Sequence, residues 1–402
     1  MLKHDVIPAV QLLDQYEPGA SFFWSSPAGT LLAKGERARL LQGGENFQES
    51  LPRQVEELLE QTKKFLYGPA VVVGAIPFDY SKPAELIVPL SVEWAEPFRV
   101  QDAEPADKVT ARYELTPVPA PKSYEQGVNE VLQHLASGAA QKIVLSRTLL
   151  VKSPTTIDVQ RLLRNLARNN AKGFTFAVNL PPSCVDAAKG TGAQSASDPS
   201  AGTGYRTLLG ASPELLISKK GLQVRSNPLA GSTPRSTDLA EDVRRAAALL
   251  NSEKDRYEHK VVIEAVAAAM RPYCKNLNVP AEPSLVQTDT MWHLSTEITG
   301  ELLDHSTSVL ELAVALHPTP AICGTPTELA REAILDIEPF DRGFYTGMVG
   351  WCDSNGDGEW AVTIRCAEVE GHSMRVFAEQ ALWKALRLRQ SLLRRQPNFK
   401  RF

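Results

Sequence analysis

Five residues of this 402-residue chain have the type and setting to do chemistry: Lys142, Glu214, Glu258, His293 and Arg365. Lys142 opens KIVLSRTLLV, a β-branched segment that reads as a strand. Glu214 lies in Gly210-Ala-Ser-Pro-Glu-Leu, an acid in mid-strand among apolar residues. Buried there, it either pairs with a lysine or keeps its proton as an acid opposite a lysine that has lost its own. Glu258 heads an apolar helical stripe of Val261, Val262 and Ala265. A carboxylate so placed either makes an ion pair or binds a cation, and Lys254 and Arg256 nearby favour the ion pair on spacing alone. Arg365 sits in Ala361-Val-Thr-Ile-Arg-Cys-Ala, a charge inside a near-continuous apolar strand, where it suits a carboxylate of the protein or of a ligand. His293, in Met-Trp-His-Leu-Ser, is of a kind more often found as a core histidine than as a catalytic one. Asp353-Ser-Asn355-Gly-Asp357-Gly358 matches half of a calcium loop. Its twelfth position is Ile364 and its flanks read as strands, so a hairpin turn fits better.

The elements that must hold these residues alternate irregularly. The apolar run Ala70 to Ile76 reads as a buried strand, and residues 102–122 as a proline-rich linker or surface excursion. A helix is expected from Ser123, where Ser-x-x-Gln resembles a capping box, and IDVQRLLRNLARNN is an amphipathic helix. Strands over Phe174 to Leu180 and Thr207 to Ser218 flank residues 185–205, a Gly/Ala/Ser-rich flexible insertion without a G-x-G-x-x-G cradle. The longest helical signal starts near Thr237. Further helices fit Ser308 to Leu316 and Thr327 to Ile337, and strands fit Phe344 to Cys352, Glu359 to Val369 and Met374 to Ala378. Strand groups and helix groups without regular βαβ alternation predict an α+β fold.

Composition excludes several classes. The net charge of -4, from 43 bases and 47 acids, argues against a nucleic-acid binder. No apolar stretch is long enough to span a membrane, and the first twenty residues carry no readable secretory signal. Five scattered cysteines without a C-x-x-C pair fit a reducing cytoplasm, not a zinc site or disulfide framework. The exception is residues 379–402, which hold seven bases and one acid.

Read together, GASPELL, NPLAGSTPR, LLNSEKDRYEHKVV, MWHLST, LHPTPAICGTP, EPFDRGFYTGMVGW and WAVTIRCA resemble the chorismate-binding enzyme family. The blocks are ordered over about residues 120–378, and VVVGAIPFD resembles the isochorismate synthases of catechol siderophore pathways. The resemblance implies one large α+β domain of two orthogonally packed β-sheets flanked by helices. Residues 1–101 form its N-terminal part and 123–378 its catalytic core. By the same resemblance Lys142 is the general base that activates water and Glu214 the general acid that protonates the departing C4 hydroxyl. Glu258 becomes a Mg2+ ligand, against the ion pair that spacing alone favours. Arg365 holds a substrate carboxylate, and Gly231, Ser232, His293 and Ala321 line the substrate site. A dianionic substrate needs a hard cation and an arginine, and exchange of hydroxyls across an allylic system needs a base and an acid. Ammonia-using relatives lack the lysine, and no amidotransferase segment is present, so water is the expected nucleophile. The implied activity is Mg2+-dependent conversion of chorismate to isochorismate for 2,3-dihydroxybenzoate siderophores, by a cytoplasmic monomer with a downstream isochorismatase as its partner. A salicylate synthase is the alternative.

The resemblance breaks after Phe377-Ala378. There the family continues Gly-Ala-Gly-Ile-Val and later supplies a second Mg2+ glutamate, whereas this chain continues EQALWKALRLRQSLL. Codons chosen for Glu379 to Ser391 and read one nucleotide earlier yield Gly-Ala-Gly-Ile-Val-Glu-Gly-Ser-Ala-Pro-Pro-Ala-Glu, in the family's register. The expectation is an out-of-frame basic tail over 379–402, without that glutamate, and hence a catalytically impaired chorismate-binding protein.

Overall fold

A computed structural model describes residues 7–40, 47–64, 68–99, 112–182 and 204–383. Ten strands form one sheet and nine a second, every pairing antiparallel, and a three-stranded sheet joins Leu229–Pro234, Met291–Ser295 and Ser284–Gln287. Alternation and apolar runs place the core between the two large sheets. The strand Val71–Ile76 is buried along its whole length, as a run with both faces covered requires. One continuous cluster joins Trp24, Phe176 and Leu208 of the first sheet to Val72, Val349 and Trp360 of the second. The α+β reading holds, and the third sheet is an addition to it.

Two neighbouring strands change sheet, and the site forms where they do. Arg206–Ser212 belongs to the first sheet and Leu215–Lys220 to the second, with Pro213-Glu214 between them. Gly358–Val362 and Cys366–Glu370 make the opposite change through Thr363–Arg365. These corners are adjacent because Gly210 pairs with Cys366 and Leu215 with Ala361. The Ala211 N–H donates to Arg365 O at 3.0 Å, and the Val362 N–H to Glu214 O at 3.2 Å. Strands that bend from one sheet into another make the corners of orthogonal packings.

Several boundaries differ from the sequence reading. Glu214 is at a corner, not in mid-strand, because Pro213 cannot donate to a ladder. The strand expected over Glu359 to Val369 is broken at Arg365, whose φ of 50° is a left-handed conformation that side chains rarely adopt. The long helix divides at Asn251-Ser252, where Ser252 accepts from the Asp255 N–H and starts Glu253–Met270. The helix expected from Ser123 begins at Pro121 with no side-chain cap, Pro being suited to a first turn. Within the linker reading, Glu114–Val118 is an edge strand on Lys142–Lys152. Phe377-Ala378 does not end the last strand, because Ser373–Trp383 pairs with all of Lys142–Lys152. Asp353 to Gly358 is the hairpin turn read from its Gly and Asn residues. Residues 384–402 of the basic tail and 185–203 of the insertion lie outside the described residues.

The Lys142 strand is pinned on both sides. The last strand runs along one edge, and Gly324–Thr325 and Glu114–Val118 cover the two ends of the other. Between those ends, side chains replace a strand: Arg342 donates to Val144 O at 2.7 Å, and Glu338 accepts from the Ser146 N–H at 2.7 Å. Arg342 and Glu338 form a buried ion pair at 2.6 Å, and Arg342 also reaches Ile322 O.

Candidate active site

A cavity of about 570 Å³ opens at the two corners, and Glu214, Gly231, Ser232, Glu258, His293, Ala321 and Arg365 all line it. Residues from the two corners, the small sheet, one helix and one loop thus converge as the motif order implied. Lys142 is the exception. Its side chain is wholly buried, and it does not line the cavity. It is linked to the wall through Glu258, whose Oε1 lies 3.2 Å from Lys142 Nζ, an ion pair without hydrogen-bond alignment. The ion pair that the sequence favoured for Glu258 therefore exists, with Lys142 as partner instead of Lys254 or Arg256.

Glu214 is 2% exposed, and its Oε1 has no hydrogen-bond partner among the described residues. Burial pushes its carboxyl up to about 8, and the carboxylate of Glu379 adds to the rise. The Leu229 N–H, Lys142 and Arg365 oppose it. Such a group holds its proton at neutral pH and can give it to a leaving oxygen.

Arg365 and His293 form a chain with Ser232. A guanidinium can only donate, so His293 Nε2 accepts from Arg365 and its Nδ1–H points to Ser232 Oγ at 2.7 Å. Ser232 lies opposite His293 in the small sheet, which fixes this contact by register. Gly231 needs its glycine, since at φ +80° a Cβ would stand 3.1 Å from Asp255 Cβ. His259 braces the same wall from behind, with its ring nitrogens on Ala230 O and Thr296 Oγ1. Burial lowers it to about 4, so it is neutral there.

Sequence reasoning missed three lining residues. Arg147 is a second guanidinium on the cavity, 5.2 Å from the Tyr124 ring centroid. It too is a charge in an apolar strand, the signal that singled out Arg365. Glu379 and Gln380 line the cavity from the segment that departs from the family. The Tyr345 hydroxyl donates to Glu379, and its ring stacks on Phe377 at 4.6 Å.

Among the described residues no three His, Cys, Asp or Glu side chains gather as a metal cluster. Glu258 is the carboxylate placed to serve a hard cation. Mg2+ is commonly held by one or two carboxylates, with water and substrate oxygens completing the shell, and Glu258, one of three acids on the cavity wall, would fit that pattern.

The profile of the chorismate binding enzyme family matches residues 81–379. The chain is 52% identical over 382 residues to the isochorismate synthase DhbC of Bacillus subtilis (strain 168), covering 94% of this chain and 92% of the relative. It is 40% identical over 367 residues to the vibriobactin-specific isochorismate synthase of Vibrio cholerae, covering 91% and 86%. The crystal structure assigned as the 2,3-dihydroxybenzoate-specific isochorismate synthase DhbC of Bacillus anthracis superposes with a TM-score of 0.85 at 48% identity, covering 96% and 95%.

Proposed function

This chain belongs to the chorismate binding enzyme family, and we propose that it is an isochorismate synthase serving 2,3-dihydroxybenzoate siderophore synthesis. The observation that carries the reading is a carboxyl raised to about 8 facing two guanidiniums, Arg147 and Arg365, in one cavity. In the reaction, a water oxygen bonds to C2 of chorismate and its proton passes to Lys142. The ring double bonds shift, the C4–O bond breaks, and Glu214 protonates the departing hydroxyl, which leaves as water. One water enters and one leaves, so the change is an isomerisation. The guanidiniums hold the substrate carboxylates, and His293 and Ser232 fix the orientation of Arg365. Glu258 would hold Mg2+, which when bound supplies positive charge beside the substrate carboxylates. In this reading the enzyme works in the cytoplasm as a monomer, and its product goes to an isochorismatase.

Incubation with chorismate and Mg2+, with isochorismate, salicylate and anthranilate resolved by chromatography, tests the assignment. Isochorismate as the product is the expected result, and salicylate with released pyruvate would replace the reading by a salicylate synthase. A second observation bears on the rate. Lys142 is absent from the cavity wall while Glu379 and Gln380 are on it, which supports weak turnover by this chain. Replacing residues 379–402 by the family continuation beginning Gly-Ala-Gly-Ile-Val should then raise isochorismate formation. Equal rates in the two proteins would refute the impairment.

A further inference from the structure

Val144 and Ala381 stand opposite each other in the pairing of the Lys142 strand with the last strand, and both line the cavity. Side chains two residues apart share a face of a strand. The next pair on that face is Lys142 with Trp383, and neither of them lines the cavity. The row that forms the wall therefore continues to Lys142 but is closed before it. The Trp383 ring centroid is 5.4 Å from Lys142 Nζ, within the range of a cation–π contact. The indole also meets the Tyr257 ring edge-on, with centroids 5.9 Å apart. Tyr257 is an exposed residue of the Glu258 helix, so Trp383 touches both the buried lysine and a side chain at the protein surface.

We infer that Trp383 is the residue that controls access to Lys142, by sealing the amine between its indole and the Glu258 carboxylate. The inference rests on the reading of Lys142 as the base for water, and it adds a residue that decides whether water and substrate reach that base. The closure is an imperfect fit. Trp383 Nε1 is buried with no hydrogen-bond partner among the described residues, a cost that displacement of the indole relieves. Catalysis by this chain thus requires the end of the last strand to move the indole off Lys142.

Native-state methylation with formaldehyde and borohydride, read residue by residue by peptide mass, tests the seal apart from any activity. In the parent protein Lys142 should react slowly. In Trp383→Ala it should react at least about tenfold faster, and in Trp383→Phe, which keeps a ring, at the parent rate. Lys219, buried in an ion pair with Asp357 at 3.0 Å, reports on global loosening and should stay slow throughout. If Lys219 rises in Trp383→Ala, Trp383→Val is judged by the same comparison. Equal Lys142 rates in the parent and in the ring-less variant with Lys219 protected would overturn the inference. Isochorismate formation from chorismate and Mg2+ should rise alongside Lys142 exposure. Exposure without any product would leave the seal standing and overturn the functional reading instead.

Discussion

Replacing Glu214 by Gln should cut turnover steeply and, above pH 8, make the protein more stable. The native carboxyl titrates at about 8 and an ordinary glutamate near 4.5. Between those values the folded protein holds a proton that the unfolded chain releases, so stability falls as pH rises, by about 1.4 kcal/mol per pH unit. The loss is absent below the unfolded value, grows through the window and levels off above the folded one. Summed over the window it is on the order of 5 kcal/mol, an upper figure for a buried group. Gln keeps the shape of the side chain but carries no charge, so the variant escapes the loss.

Guanidinium unfolding of the parent and of Glu214→Gln at pH 5, 7 and 9 measures it. His259 and His317, both lowered to about 4 by burial, add stability as pH rises from about 4 to 6.5, so the parent's own profile mixes opposite slopes. The difference between the two proteins isolates Glu214. It should move in favour of the variant by several kcal/mol from pH 5 to pH 9. A difference that is flat with pH would mean that Glu214 is an ordinary ionised acid, and its role as proton donor would go with it. Turnover should drop about 10²- to 10⁴-fold in the variant, and in the parent kcat should decline as pH passes about 8.

Glu258→Gln leaves the Lys142 charge buried without its partner, so thermal unfolding should show a loss of about 3 kcal/mol, and the Mg2+ concentration for half-maximal rate should rise. Unchanged Mg2+ dependence would leave Glu258 a purely structural partner. Glu379→Gln removes one negative charge from the cavity wall and should tighten chorismate binding roughly fivefold in isothermal titration, about 1 kcal/mol at an effective dielectric near 20. Weaker binding would show that this carboxylate aids the ligand. Arg342→Lys loses the fork that joins Val144 O and Ile322 O, so stability should fall by about 3 kcal/mol in urea and kcat should fall more than KM rises. An unchanged kcat would confine Arg342 to stability.

Much of the site was legible because its residues carry chemistry that their local setting does not explain. A lysine opening an apolar strand, an acid after Pro213 and an arginine among β-branched residues each stood out. All three lie at the ends or corners of strands. The corners themselves were not legible. Residues 360–364 and 366–367 are apolar but for Thr363 because both halves are buried, so no polar run or glycine marks the change of sheet at Arg365. The Lys142–Glu258 pair was equally hidden, since it joins a strand to a helix more than a hundred residues away and no local spacing reports it. The departure from the family after Ala378 was visible in the residues, but its structural consequence was not. Glu379 to Trp383 complete the ladder through backbone pairing, so the strand forms although its side chains close the site.

The charges around the cavity show why a divalent cation belongs to the proposed reaction. With Glu214 protonated and the imidazole of His293 neutral, the wall carries two positive charges, Arg147 and Arg365, and two negative ones, Glu258 and Glu379. Lys142 behind Glu258 makes the resting total one positive charge. To act as base Lys142 must first give up its proton, which brings the total to zero. The substrate then adds two carboxylates, leaving two negative charges uncompensated within one cavity, where like charges repel more strongly than in bulk water. One divalent cation restores neutrality. The same accounting separates the effects of the two acids. Glu258 is neutralised by Lys142 at rest and becomes a free carboxylate when Lys142 loses its proton, which is when a cation is needed. Glu379 has no such ion pair among the described residues, its bond being to the neutral hydroxyl of Tyr345, and so it opposes a dianion at every stage.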